Sequence, residues 1–318
     1  MKKNNNSNND LFKLSFTPDE TNQIFIDEIN SAEKFIIIHA MFFNTKNMKI
    51  NIVNLLNNKF IKTPNIYIEL NLGVNPFDKH CFDGLDNRVI VNVIKMRTIF
   101  MYVHHIRLFH TEKVMCIGGV DFIEKILNNP HYIQFSLFIK NNKYFILNKN
   151  KHINIEIKNF YNYTNIGYNK NSYVKQILHC IKYAETNIFI DCQYCAHKEI
   201  IYSLIEKKKN SPSINITILT NSMNSKPNPL NKCFNNKLIF FIFDKFILKK
   251  MEKIGIKFIK HNFYTHNKIF IFDKKYIMIG SMNIIPRSIE CNGGDREIGI
   301  FIKNHIIAEE LLEYYMKL

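Results

Sequence analysis

Two stretches of this chain repeat one pattern, and that repeat restricts the fold more than any other feature. "HIRLFHTEKVMCIGGVDF" begins at His105 and "HNKIFIFDKKYIMIGSMN" begins at His266. Histidine matches histidine, Arg107 matches Lys268 and Glu112 matches Asp273. Gly118-Gly119 falls on Gly280-Ser281 after one deleted residue, and Asp121 falls on Asn283. Downstream, "QFSLFIKN" (134–141) matches "EIGIFIKN" (297–304). Two matching blocks in the same order, at similar spacing, mark a duplicated unit. In the second copy, Ile269–Phe272 and Ile277–Ile279 are short apolar runs around a Lys-Lys turn, the pattern of a buried β-hairpin.

The two halves carry the same order of elements. The first reads as a helix near 18–33, a strand at 35–43, a helix near 46–60 and a strand at 65–72. A strand at 88–94, the hairpin and a strand at 133–139 follow. The second reads as a helix near 172–186, a strand at 187–194, a helix near 197–209 and a strand at 214–221. A long helix near 233–253, a strand at 256–261, the hairpin, a strand at 297–302 and a last helix complete it. Strands alternating with helices predict an α/β fold, each half a mixed β-sheet flanked by helices. The Asn- and Lys-rich stretch at 141–172 marks the boundary. The domains expected are a disordered polar tail over 1–17, a first half over 18–165 and a second half over 166–318.

A chain of 318 residues, 46% hydrophobic, has room for one large domain or two of ordinary size. Its formal net charge of +16 suits an anionic partner: nucleic acid, an acidic membrane face or a phosphate-bearing substrate. AT-rich codons supply part of that lysine excess, so charge does not choose among them. No apolar segment follows the polar N-terminus, and the most apolar run, 238–248, is broken by Asp244 and Lys245. The expected location is intracellular, cytoplasmic or peripheral on a membrane, with no signal peptide and no transmembrane helix. Seven cysteines form no regular framework, and Cys192 and Cys195 read as buried thiols. His104, His110 and His261 take structural readings, and the runs 206–210 and 248–253 read as solvated helix faces.

Strand alternation puts His266 and Lys268 on one face. A lysine there can hold a phosphate oxygen while the histidine reaches phosphorus or the leaving oxygen. Phosphodiester cleavage without a metal needs a nucleophile, an acid for the leaving group and fixed positive charge. No HExxH, Cys-His cluster or paired-carboxylate site appears, and no cofactor or metal is expected.

These residues resemble the phospholipase D superfamily, whose signature is HxKxxxxD followed by GSxN. "GSMNIIPRS" and the trailing Glu297 are most similar to cardiolipin synthase-like members, and "IFIDCQY" resembles the strand that opens the second half in phospholipases D. The resemblance spans roughly 20–318, with a full motif in the second half and a degenerate one in the first. It implies two similar halves with one active site at their interface. One histidine attacks phosphorus to form a phosphohistidine, and the other protonates the leaving alcohol, then activates the incoming water or alcohol.

Carried over residue by residue, His105 and His266 are the pair, and Arg107 and Lys268 bind the phosphate. Ser281 and Asn283 lie beside it, with Gly119 and Asp121 as poorer counterparts. Glu297 orients the His266 ring. Asp273, Glu112 and Gln134 are structural support. In the first copy arginine replaces lysine, glutamate replaces aspartate, and Gln134 stands where Glu297 stands in the second. Gln134 cannot offset a ring's positive charge, which favours His266 as nucleophile; the resemblance itself does not fix the order. The resemblance implies a phosphodiesterase or phosphatidyltransferase acting on phospholipids. A metal-independent nuclease and a catalytically weak membrane-associated scaffold are the alternatives. The partners implied are a phospholipid or other phosphodiester; a membrane surface, nucleic acid and the oligomeric state stay open.

Overall fold

The structure is a computed structural model. It describes residues 12–40, 43–44, 52–73, 82–93, 107–118, 122–123, 132–133, 135–140, 146–148, 152–154, 161–165, 171–221, 247–259, 264–285, 288 and 297–317. The chain divides into two compact units. One comprises 1–129, 134–156 and 295–298; the other comprises 130–133, 157–294 and 299–318.

The first sheet contains β1 (Phe12–Ser15), β2 (Phe35–Ala40), β3 (Tyr67–Leu72), β4 (Ile90–Val93), β5 (Leu108–Thr111), β6 (Val114–Ile117) and β7 (Ser136–Lys140). Its strand order is β1-β7-β6-β5-β2-β3-β4. The second contains β8 (Tyr161–Asn165), β9 (Asn187–Cys192), β10 (Asn215–Thr220), β11 (Lys257–Ile259), β12 (Lys268–Phe272), β13 (Tyr276–Gly280) and β14 (Glu297–Lys303). Its order is β8-β14-β13-β12-β9-β10-β11. The two orders coincide strand for strand. In both, three strands at one end of the order (β2, β3, β4 and β9, β10, β11) run parallel and the hairpin joins them antiparallel, so the sheets are mixed. The duplication read in the sequence is therefore a duplication of topology.

The helices are α1 (Pro18–Ser31), α2 (Ile52–Lys62), α3 (Asn171–Tyr183), α4 (Lys198–Asn210), α5 (Lys249–Lys253) and α6 (His305–Met316). α1 is capped at its start: the Thr17 side chain accepts from the Glu20 N–H, and the Glu20 carboxylate accepts from the Phe16 N–H, one residue before the cap. Its core face, Phe25, Ile29 and Ala32, packs with Ile36, Ile38, Leu70 and Phe109 of the first sheet. In the second unit Ile177, Ile181, Ile200 and Leu204 cover Ile188, Ile190, Phe270 and Phe272 in the same way. Each such side chain fully buried is worth about 1.5–3 kcal/mol before conformational entropy is set against it.

Two expectations need correction. Phe12–Ser15, placed in a disordered tail, is a strand paired antiparallel with β7. Tyr161–Asn165, placed in the first half, is the matching edge strand of the second sheet. Each repeat therefore starts one strand before the helix that seemed to open it; both strands are short, and Tyr161–Asn165 is polar, so periodicity does not mark them. Of the strand expected over 35–43, Phe35–Ala40 is a strand and 41–42 lie outside the described residues. Of the long helix expected over 233–253, Lys249–Lys253 is α-helical and 222–246 lie outside the described residues.

Candidate active site

The second hairpin brings the motif together. In β12 and β13, Ile269 pairs with Ile279 and Phe272 with Tyr276, so the strands close on the turn at 273–275. Asp273 and Lys274 take left-handed φ values of 52° and 50°, and the Lys275 N–H donates to the Phe272 carbonyl at 3.0 Å. The three-residue loop thus closes on a β-turn whose two central residues are left-handed. The open end of the hairpin then carries His266 and Lys268 on one strand and Ser281 and Asn283 beyond the other.

At this edge the polar residues are buried. His266 is 8% exposed, Lys268 2%, Asn283 6% and Ser281 fully covered. The Lys268 ammonium donates to the His266 carbonyl at 2.7 Å and to Gln193 Oε1 at 3.5 Å. It therefore lies beside the histidine, as strand alternation predicts. Asn283 Oδ1 accepts no hydrogen bond from the described residues; a buried amide so placed has spare capacity for a polar ligand. Glu297 is fully buried as the first residue of β14.

Asp273 lies at the other end of the hairpin. Its carboxylate accepts from the N–H groups of Glu185, Thr186 and Asn187 at 2.8–3.1 Å and from the Thr186 hydroxyl at 3.0 Å. Burial works to raise its pKa, and these donors outweigh burial and hold the carboxyl below its usual range. It thus fastens the hairpin to the turn between α3 and β9. Glu112 does the same in the first unit, accepting from the Glu33 and Phe35 N–H groups at the turn between α1 and β2. The registers make the equivalence explicit: Thr111 pairs with Ile36 as Phe272 pairs with Ile188.

Arg107 is buried immediately before β5, where Lys268 begins β12. His105, Gln134, Gly119 and Asp121 lie outside the described residues, as do His104 and His261. His110 is buried in β5 against Phe35, ring centroids 5.0 Å apart. Cys192 and Cys195 are buried free thiols. Among the described residues no group of three or more His, Cys, Asp or Glu is arranged to hold a metal ion, and no helix is long and apolar enough to cross a membrane.

The sequence reading missed the polar group beneath the histidine. The Asp191 carboxylate accepts from the Thr265 hydroxyl at 2.6 Å, from Asn267 Nδ2 at 2.7 Å and from the Tyr315 hydroxyl. Asn221 donates to the Thr265 carbonyl at 2.8 Å and accepts from the Thr265 N–H at 2.9 Å. The signal for it was an aspartate inside the apolar strand "IFIDC", since a buried carboxylate needs donors.

Residues 177–318 match the family model described as "Cardiolipin synthase, PLD-like domain". No curated protein sequence matches the chain. Among solved structures it resembles the phosphatidylserine synthase of Haemophilus influenzae Rd KW20, with a TM-score of 0.77, 12% identity, and 96% of this chain and 86% of that one covered. It also resembles the polyphosphate kinase of Porphyromonas gingivalis, with a TM-score of 0.58, 10% identity, and 96% and 50% covered. Nuc from Salmonella typhimurium, a phospholipase D family member, aligns at a TM-score of 0.34 and 16% identity, with 45% and 84% covered. At these identities the likeness is one of fold. Residues 177–318 thus carry a phospholipase D-like match, and the first half repeats the sheet topology of the second.

Proposed function

We propose that the chain is a phospholipase D-like phosphodiesterase or phosphatidyltransferase acting on phospholipids, with His266 as nucleophile. The observation that carries the reading is the buried edge where Lys268 lies against the His266 backbone and Ser281 and Asn283 extend from the facing strand. A phosphate there meets a ring nitrogen, an ammonium and two small polar side chains. The His266 ring attacks phosphorus; the P–N bond forms as the bond to the leaving alkoxide breaks, and His105 gives that oxygen its proton. His105, then neutral, takes the proton of an incoming water or alcohol, whose oxygen attacks phosphorus and releases His266. Lys268 and Arg107 offset charge on the phosphoryl oxygens. Glu297 orients the His266 ring through its other nitrogen and stabilises the positive charge that the ring carries in the intermediate.

The match to a family described as cardiolipin synthase and the fold likeness to a phosphatidylserine synthase support lipid over nucleic acid. The net charge of +16 also suits a nuclease, the second reading. Purified protein assayed on labelled phosphatidylglycerol and on single-stranded DNA, both with chelator, separates the two. An activated phosphodiester then tests the roles. Label on the peptide holding His266 in wild type, and its loss in His266→Ala, fit the assignment. Label on the peptide holding His105 in His266→Ala reverses it. Absence of turnover and label on every substrate favours the inactive scaffold.

A further inference from the structure

We infer that Asp191 is a positioning residue for His266, fixing the backbone on both sides of it, and that Tyr315 ties this anchor to the C-terminal helix α6. The inference rests on the reading of His266 as nucleophile. Thr265 and Asn267, the two neighbours of His266, both place side chains on the Asp191 carboxylate. Thr265 is held a second time by Asn221 through its N–H and its carbonyl. The Asn267 carbonyl accepts from the Gln193 N–H at 3.2 Å, and the His266 carbonyl accepts from Lys268. The main chain of 265–267 is thus fastened at every residue. Tyr315, tilted against Phe189 with centroids 4.5 Å apart, donates its hydroxyl to the same carboxylate.

An apolar residue would fill this place at less cost, since a fully buried carboxylate is stable only with its oxygens satisfied. Burial pushes the Asp191 carboxyl up to about 6, against the hydrogen bonds from Thr265, Tyr315 and Asn267 and the charge of Lys268. The other titratable groups that feel it are Tyr314 and Cys192. The first sheet carries a different residue there. Its equivalent position is His39, which pairs with Leu108 as Asp191 pairs with Ile269. An imidazole cannot accept three hydrogen bonds. The second half thus places a carboxylate where the first has an imidazole, and holds His266 as a nucleophile aimed at one phosphorus requires.

Two variants test this. Tyr315→Phe keeps the ring on Phe189 and removes one donor; Asp191→Asn keeps the shape and removes the charge. In Asp191→Asn, kcat is expected to fall about 10- to 100-fold with KM little changed, the cost of a small misplacement of a reacting group. In Tyr315→Phe, a smaller fall in kcat comes with an acidic limb displaced to higher pH, because loss of a donor raises the Asp191 pKa further. Unchanged kcat and an unmoved limb in both folded variants overturn the inference. Should Asp191→Asn not fold, Tyr315→Phe decides alone. The His266 imidazole resonances, assigned by their loss in His266→Ala, provide a readout independent of turnover. They are expected to shift in both variants. If wild type cleaves no phosphodiester, the proposed function fails, and these resonances decide the role of Asp191: shifted they uphold it, unmoved they refute it.

Discussion

Removing the Asp273 carboxylate tests whether the last residue of the motif reacts or holds the hairpin. In Asp273→Ala three backbone N–H groups and the Thr186 hydroxyl lose their acceptor. A hydrogen bond to a charged group contributes about 1.5–3 kcal/mol. These four share one carboxylate at a partly exposed turn, where water replaces part of the loss, so they do not add; the net is about 2–3 kcal/mol. Alanine at φ 52° adds about 1 kcal/mol of left-handed strain. Asp273→Asn avoids that strain and keeps one acceptor, so about 1–2 kcal/mol is expected. Urea denaturation followed by circular dichroism gives both values, and amide exchange at 185–187 localises the effect. The folded carboxyl lies below its unfolded pKa, so its contribution is present above the unfolded value and is lost as pH falls through the folded one. Asp273→Ala should lack that acid dependence while retaining kcat below its unfolding transition. Stability within about 0.5 kcal/mol of wild type, the range of an inconsequential surface change, or kcat lost from a stable variant, refutes the structural role.

Lys274→Gly should stabilise the protein by about 0.5–1 kcal/mol, because lysine at φ 50° carries strain that glycine does not; a lower urea midpoint contradicts this. Burial, then the nearby His39, depress the His110 pKa to about 4. The unfolded chain binds that proton below the ordinary imidazole value of 6.5, so stability is lost as pH falls from there through about 4. The linkage amounts to at most about 3 kcal/mol; His110→Phe should flatten that slope in denaturation curves, and an unchanged slope removes His110 as its source. His266→Ala should lower turnover by about 10²–10⁴-fold and Lys268→Ala by about 10²–10³-fold, with near-normal rates counting against the site. Turnover should persist in EDTA; activity restored only by a divalent ion defeats the metal-free mechanism.

Glu112 and Asp273 could be paired by eye in the sequence, and so could Arg107 and Lys268. They lie in long apolar hairpins where a change of register would turn a buried face outward, so order and spacing were legible without coordinates. The pairing of His266 with Lys268 followed from alternation for the same reason. The edge strands Phe12–Ser15 and Tyr161–Asn165 were not legible, because a short strand at a sheet edge takes its conformation from its neighbour.

The sequence by itself determined the duplication, the α/β class and the residues of the second motif. Those are local facts, written in spacing and periodicity. Only the tertiary structure decided what Asp191 touches. Its partners lie 74, 76 and 124 residues away, at Thr265, Asn267 and Tyr315, and no period connects them. Tertiary structure likewise showed the acidic residues of the two motifs fastening helix–strand turns 88 and 79 residues distant in sequence. A hydrogen bond forms between whatever atoms the packed sheets bring within about 3 Å, and that proximity is set by the fold of the whole chain.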